Sequence, residues 1–397
     1  MSDIEHLERA RSFFPAVSEV AYFNTGTCGP LPARTSQAMQ DVIQHSSDKG
    51  RGSIPEYMVY LEEVEALRED LARWMGAEAD EVAITQHTTE AMNHILWGLE
   101  FQPGDVIITS THEHPALLAP LAMLHARRGV DVVYVDFTGH RIKDVEAFED
   151  ALGPQVRMVV LSHVSWIDGF PLPIEEITNI CNDEAIPIMV DGAQSLGMMP
   201  VNVKKLGVDF YAAPCQKWLC GPEGMGVLYI SKEWISRIKP TYTGIFGVRD
   251  LHWIDQTSPY YVPAAGARRY QQSGMFRPLI YGMRESLRIL EHEVTLSWAH
   301  KHVRSMVRKL NTALKSIEGV EILTPRNTDS SLVTFTWDGC DAAQFRDSCE
   351  AKGIVLRDIP FDGTPRIRVS VGFFNNEGDI QKLVDAVKAE VPEPASE

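Results

Sequence analysis

The sequence predicts an α/β fold, a mostly parallel seven-stranded sheet covered by helices, followed by a smaller α+β unit. Three observations carry this. Short β-rich runs alternate with helical patterns from about residue 62 to residue 230. Several of these runs are apolar throughout, as strands buried on both faces must be. Beyond Thr241 the alternation stops and gives way to a Gly-, Pro- and aromatic-rich stretch, then to long helical patterns. Strands that alternate with helices imply crossover connections and a parallel sheet.

The expected strands are Val82–Thr85, Val106–Thr109, Val130–Val135, Met158–Ser162, Pro187–Asp191, Val208–Ala213 and Gly226–Ile230. Between them Glu62–Trp74, Thr89–Leu99, Ala116–Arg127, Asp144–Leu152 and Ile174–Cys181 carry apolar residues at helical spacing. Residues 241–275 read as a structured loop region, and Pro278–Ser305 and beyond as long helices. A strand over Leu332–Trp337, a helix over Ala342–Lys352, a strand over Arg366–Val371 and a helix over Glu377–Ala389 make the smaller unit. The chain therefore divides into a helical segment 1–20, a large domain 21–275, a connecting helix and small domain 276–390, and a disordered tail 391–397.

Composition narrows the function. The chain has 397 residues, 44% hydrophobic and 23% charged, which is ordinary for a globular protein. A formal charge of −17 opposes nucleic acid or an anionic membrane as partner. No apolar run is long enough to cross a bilayer, and the polar start Met1-Ser2-Asp3-Ile4-Glu5-His6 lacks the order of a signal peptide. Cysteines 28, 181, 215, 220, 340 and 349 are scattered, which suits reduced thiols of a cytoplasmic protein and no disulfide framework.

Candidate site residues cluster just after the expected strands, where open α/β sheets place their ligands. Asp191 ends one strand and opens into Gly192-Ala193-Gln194-Ser195. Lys217 follows the next, in Cys215-Gln216-Lys217-Trp218-Leu219-Cys220-Gly221-Pro222-Glu223-Gly224. A lysine and a carboxylate facing one crevice are what pyridoxal phosphate needs: an amine for its aldehyde and an anion for its ring nitrogen. Taken singly, a lysine beside a Gly-Pro loop is most often solvated and a strand-end aspartate a cap. Thr88 and Thr89 start a helix, with Thr89 expected as N-cap and its neighbours as a phosphate cradle. His114, in Thr111-His112-Glu113-His114, can stack on a flat ring or exchange protons. The same element, with His163 and Asp168, admits a metal-dependent hydrolase as a rival, although no ligand set of fixed spacing is complete. Arg366 and Arg368 share one face of a strand, and an inward arginine binds a carboxylate in bidentate fashion.

In this order these pieces resemble the class V aminotransferase family of pyridoxal-phosphate enzymes, which includes cysteine desulfurases, cyst(e)ine C–S lyases and isopenicillin N epimerase. The resemblance runs from about Tyr22 to Val387 and is densest over Val190–Ser195, Val208–Tyr211 and Lys217–Gly224. It implies fold type I, pyridoxal phosphate on Lys217, and a homodimer with sites at the interface. It also implies roles: Asp191 as pyridine-nitrogen partner, Gln194 as donor to the phenolic oxygen, Thr88 and Thr89 at the phosphate, His114 stacked on the ring and Arg368 on the substrate's α-carboxylate. Asn24, in Tyr22-Phe23-Asn24-Thr25-Gly26, joins the substrate side, and Gln216 the cofactor side.

Four positions depart from the desulfurase pattern: Gln216 replaces a histidine, Pro214 a serine, Trp166 an asparagine, and Gly274-Met275 a Gly-Thr. A fifth departure bears on chemistry. Desulfurases need a nucleophilic cysteine shortly before the Arg-x-Ser strand, and the stretch from Gly353 to Arg366 contains none. The expected reaction is therefore C–S β-elimination on an amino acid and not persulfide transfer. Epimerisation, which would need a second acid such as Tyr242 or His112, is the alternative, with transamination beside it. A non-catalytic cofactor-binding protein is the rival outside enzymology.

Overall fold

The computed structural model describes residues 2–249, 262–325, 328 and 330–391. Its strands, in chain order, are β1 (Ala21–Tyr22), β2 (Val82–Thr85), β3 (Val106–Ser110), β4 (Asp131–Val135), β5 (Val156–Ser162), β6 (Ile188–Asp191), β7 (Phe210–Pro214), β8 (Gly226–Ile230), β9 (Val320–Ile322), β10 (Leu332–Trp337), β11 (Ile354–Val355), β12 (Arg357–Asp358) and β13 (Ile367–Ser370). Seven of them form one sheet in the order β2-β8-β7-β6-β5-β3-β4.

All five expected helices are present; four lie within three residues of their predicted bounds, and the first begins eight residues earlier than expected, at Ile54. Pairings from β4 through β3, β5 and β6 to β7 are parallel. Only β8 runs against its neighbours β7 and β2. The reason is chain length: the eleven residues 215–225 contain no helix, and a parallel return needs a crossover of about a dozen or more. Strands β6, β7 and β8 are buried at every position. Large side chains such as Phe210, Tyr211 and Tyr229 fill the two layers between sheet and helices.

A second sheet, β12-β13-β10-β9, is antiparallel. The long helical stretch after Pro278 is broken: Arg277–Arg288 is α-helical, Ile289–Val294 is π-helical, and Leu296–Lys315 resumes after Thr295 at φ 57°. A polar helix over Ala33–Lys49, absent from the sequence expectation, packs on Arg277–Arg288. The chain's two ends meet where β1 pairs in parallel with β11 and Asn24 bridges to Ser370. The expected disordered tail lies outside the described residues from 392 onward. No helix among the described residues is long and apolar enough to cross a membrane.

Candidate active site

The carboxyl ends of β2, β3, β5, β6 and β7 all open on one side of the sheet, because these strands run in the same direction. The residues just beyond those ends surround a cavity of about 160 Å³. Thr88 and Thr89 arrive after β2, His114 after β3, Trp166 after β5, Asp191 and Gln194 at β6, and Gln216 and Lys217 after β7. Seven of the nine sequence-predicted site residues thus line one space. The other two, Arg368 and Asn24, do not line it. Arg368 stands behind Trp166, donating to its carbonyl at 2.8 Å and to Thr27 Oγ1 at 3.1 Å.

Burial sets the electrostatics. Asp191 is 4% exposed and accepts the Ala193 N–H at 2.8 Å. Burial raises its proton affinity, while Lys217 and that N–H oppose the rise. Lys217 is only half-buried by surface area, yet enough protein surrounds it that desolvation lowers its ammonium to about 8, against the pull of Asp191. His114 is brought down to about 4, by burial first and then by Lys217, Arg368 and Arg357. Its Nδ1 accepts the Ala116 N–H at 3.1 Å, capping the helix Pro115–Arg128. His114 is therefore a neutral ring, which suits stacking better than proton exchange at neutral pH. Arg368 is pushed down to about 9 by burial and by Arg357.

The helix Thr88–Gly98 points its N-terminus at the cavity, so the first-turn N–H groups of Thr88 and Thr89 lack intrahelical acceptors. Its cap is His87, not Thr89: His87 Nδ1 accepts the Glu90 N–H at 3.0 Å. The threonine hydroxyls are thereby spared capping. Gln194 donates to the Gly26 carbonyl at 2.8 Å and accepts from Trp218 Nε1 at 2.9 Å, which leaves its second amide hydrogen for a ligand. Trp166 Nε1 and Gln216 Oε1 are buried without partners, and both residues line the cavity. A phosphate-ready helix end, a buried carboxylate, an amine and two unpartnered polar atoms around one space fit a flat, anionic, polar molecule.

Other candidates fall elsewhere. His112 bonds Ser165 Oγ at 3.3 Å and lies 3.6 Å from Asp168, while His163 bonds the Tyr211 hydroxyl at 3.1 Å. Among the described residues no group of three or more His, Cys, Asp or Glu is placed to hold a metal ion. Tyr242 is 39% exposed and donates to Glu90 at 3.3 Å. Neither Tyr242 nor His112 lines the cavity. Met275 sits with Tyr60 and Arg277 on a separate groove.

Two residues escaped the sequence reading. Glu113 is buried and accepts from Ser110 Oγ at 2.6 Å, Ser162 N at 2.9 Å and Ser162 Oγ at 2.6 Å; burial still pushes it up to about 7. It clamps the end of β3 to the end of β5 beneath the cavity. No periodicity marks such a residue. Cys28 lies near enough to Lys217 for their charges to interact, but burial and Glu223 raise its thiol.

The sequence profile described as Aminotransferase class-V matches residues 21–383. A probable cysteine desulfurase of Methanothermobacter thermautotrophicus is 26% identical over 397 residues, covering 96% of this chain and 97% of that one. Among solved structures, a complex between the cystine C–S lyase C-DES and its reaction product cysteine persulfide is similar at a TM-score of 0.89 and 27% identity, covering 96% of this chain and 100% of that chain. A C-DES mutant with glycine covalently linked to the PLP cofactor matches equally well, at TM-score 0.89 and 27% identity over 96% of this chain and 99% of the other. With the profile spanning nearly the whole chain, and the sheet, crevice and cavity residues in the family's order, this protein belongs to the class-V aminotransferase family.

Proposed function

We propose that this protein is a pyridoxal-phosphate-dependent C–S β-lyase acting on a cysteine-type amino acid. The observation that carries the reading is the meeting of Lys217 and the buried Asp191 in one cavity, beside a helix N-terminus fit for phosphate. Lys217 would hold the cofactor covalently, Asp191 its ring nitrogen, Gln194 its phenolic oxygen, His114 its flat face, and Thr88 and Thr89 its phosphate. When bound, pyridoxal phosphate supplies a carbonyl for the amino group and an electron sink at Cα. Arg368 receives the substrate's α-carboxylate, with Asn24 close by on the turn that bridges to Ser370. Once the substrate's amino group has displaced it, the freed Lys217 amine would be the base for the Cα proton, and its lowered proton affinity leaves more of it uncharged at neutral pH.

Elimination is favoured over its alternatives by what surrounds the cavity. Tyr242 and His112, the two groups that could supply a second acid for epimerisation, stand outside it. Persulfide transfer needs an accessible thiolate. The stretch from Gly353 to Arg366 has no cysteine, Cys340 and Cys349 are buried, and the Cys28 thiol is raised. The relatives named as a cysteine desulfurase and a cystine C–S lyase support a cysteine-type substrate. A homodimer completes the proposal, supported by exposed Ile43, Tyr57 and Phe276 lining one groove and by exposed Ile54, Met58 and Val59 on the helix that carries Tyr57.

The test is spectroscopic and chemical. Wild-type protein given pyridoxal phosphate should absorb at the blue end of the visible spectrum, and Lys217→Ala should not. Cystine or an S-substituted cysteine should yield pyruvate. Deuterium exchange at Cα with no pyruvate would replace the lyase with an epimerase, and a colourless wild-type protein would end the cofactor reading.

A further inference from the structure

Glu113 is tied to three residues that line the cavity, yet the proposed reaction gives it no part. His114 follows it in the chain, its carboxylate holds Ser162, and Ser162 stands opposite Asp191 in the β5–β6 register. The main-chain register of β3 with β5 runs from Val106–Val156 to Ile108–Val159. Beyond it the Glu113 side chain takes over. Its Oε1 accepts from Ser162 N at 2.9 Å and Ser110 Oγ at 2.6 Å, and its Oε2 accepts from Ser162 Oγ at 2.6 Å. The Ser110 hydroxyl also accepts the His112 N–H at 3.1 Å, so one hydroxyl and one carboxylate pin the turn that delivers His114. On the other side His163 N donates to the Asp191 carbonyl at 2.9 Å. A single side chain thus links the placement of His114 to that of Asp191.

A glutamine could make the same three bonds. An amide oxygen accepts two donors, and an amide hydrogen can reach a serine oxygen. The carboxylate therefore brings a charge that the clamp does not require. Glu113 is 1% exposed and its three bonds come from neutral donors. Burial, against the pull of those donors, pushes it up to about 7, and the Asp191 charge adds to the rise. His163 and Tyr211 bond each other and stay neutral, while His112 turns to Ser165 and Asp168. Asp191 is the charge that acts on Glu113.

We propose that Glu113 is a positioning residue of the cofactor site, a second carboxylate that spaces His114 from Asp191 and whose charge answers that of Asp191. It acts only through those two residues. This rests on reading the cavity as a pyridoxal-phosphate site. Once Asp191 is paired with a protonated ring nitrogen, its charge is offset and its hold on the Glu113 proton weakens. Glu113 then releases that proton, and its own charge adds to that of Asp191.

The experiment counts protons. Cofactor-free protein is titrated calorimetrically with pyridoxal phosphate in two buffers of different ionisation enthalpy. Near pH 7, where Glu113 is partly protonated, wild type should release about a few tenths of a proton more than Glu113→Gln. The difference should vanish at about pH 5 and about pH 9, where Glu113 keeps one state with and without cofactor. Ser110→Ala takes a donor from the charged carboxylate and lies outside the cavity lining, so it should move the maximum of release to higher pH. In Glu113→Gln holoenzyme the visible band should titrate about half a pH unit lower, roughly a threefold loss of proton affinity, because a nearby negative charge is gone. A clamp without this coupling would change stability and leave both readouts where they were. Equal proton release from wild type and Glu113→Gln at every pH, with cofactor bound to both, overturns the proposal and leaves the cofactor reading in place. Wild type that binds no pyridoxal phosphate overturns both.

Discussion

Replacing Lys217 by Met should make the cofactor-free protein more stable near neutral pH. The fall of the Lys217 ammonium from its ordinary 10.5 to about 8 already includes the attraction of Asp191. At about 1.4 kcal/mol for each tenfold change in proton affinity, it corresponds to roughly 3 kcal/mol of destabilisation in the protonated folded state. The side chain keeps partial access to cavity water, which reduces this to about 2 kcal/mol. The sign follows from proton counting. Below pH 8 folded and unfolded chains both carry the proton, so the folded state bears the whole penalty. Between pH 8 and 10.5 the folded state sheds it first and the penalty shrinks as pH rises. Lys217→Met removes the penalty with an apolar side chain of similar length. Urea denaturation near pH 7 should therefore show a gain of about 2 kcal/mol, falling below about 1 kcal/mol near pH 9.5. A variant no more stable than wild type near pH 7 would refute the reasoning, and so would a gain that does not shrink with pH.

Two further outcomes are expected. Arg368→Leu should lower kcat/KM for any α-amino acid by about a hundredfold or more, chiefly through KM, because a buried cation is lost from the carboxylate; an unchanged KM would remove Arg368 from the substrate site. Gly29→Ala would place a Cβ 2.2 Å from the Lys217 carbonyl and 3.0 Å from Cys220 Sγ. A displaced Lys217 segment should then show as a drop of about 1–3 kcal/mol in stability and weaker cofactor retention, and a variant that matches wild type in both would show that the contact relaxes freely.

The sheet was legible because its strands are short apolar runs buried on both faces. Ile188-Met189-Val190 and Phe210-Tyr211-Ala212-Ala213 are too short for a helix of usual length and apolar throughout, which reads as a covered strand. The reversed direction of β8 was written only in the length of residues 215–225. β1 and β11 are two residues each and join positions more than 330 apart; a pair that short has no period to read, and its partner is set by tertiary packing. The helix Ala33–Lys49 buries Thr35 alone, so it shows no apolar stripe. At the site, residue types after strand ends located seven lining residues. His87 displaced Thr89 as cap because an imidazole nitrogen can accept the same backbone bond that a hydroxyl would. The threefold clamp on Glu113 arises from Ser110 and Ser162 on two different strands, and only the sheet brings them together.

Unpartnered groups mark the place where the N-terminal turn meets the second sheet. Asn24 Oδ1, Thr25 Oγ1, Ser370 Oγ and Arg368 Nε are all buried without a hydrogen bond. Each such group costs about 1–3 kcal/mol. The turn bearing Asn24 and Thr25 reaches the second sheet through the Asn24–Ser370 bridge and through Ser370 N donating to the Phe23 carbonyl at 2.7 Å. Gln194, from the large sheet, holds the same turn by the Gly26 carbonyl. The N-terminal turn is thus a keystone between the two sheets, and its Thr27 hydroxyl accepts from Arg368 at 3.1 Å. A ligand carboxylate, which only accepts, can satisfy the Arg368 N–H and the two hydroxyls, whereas Asn24 Oδ1 needs a donor such as the substrate's amino group. The stability withheld from the empty protein is the part that substrate binding can return.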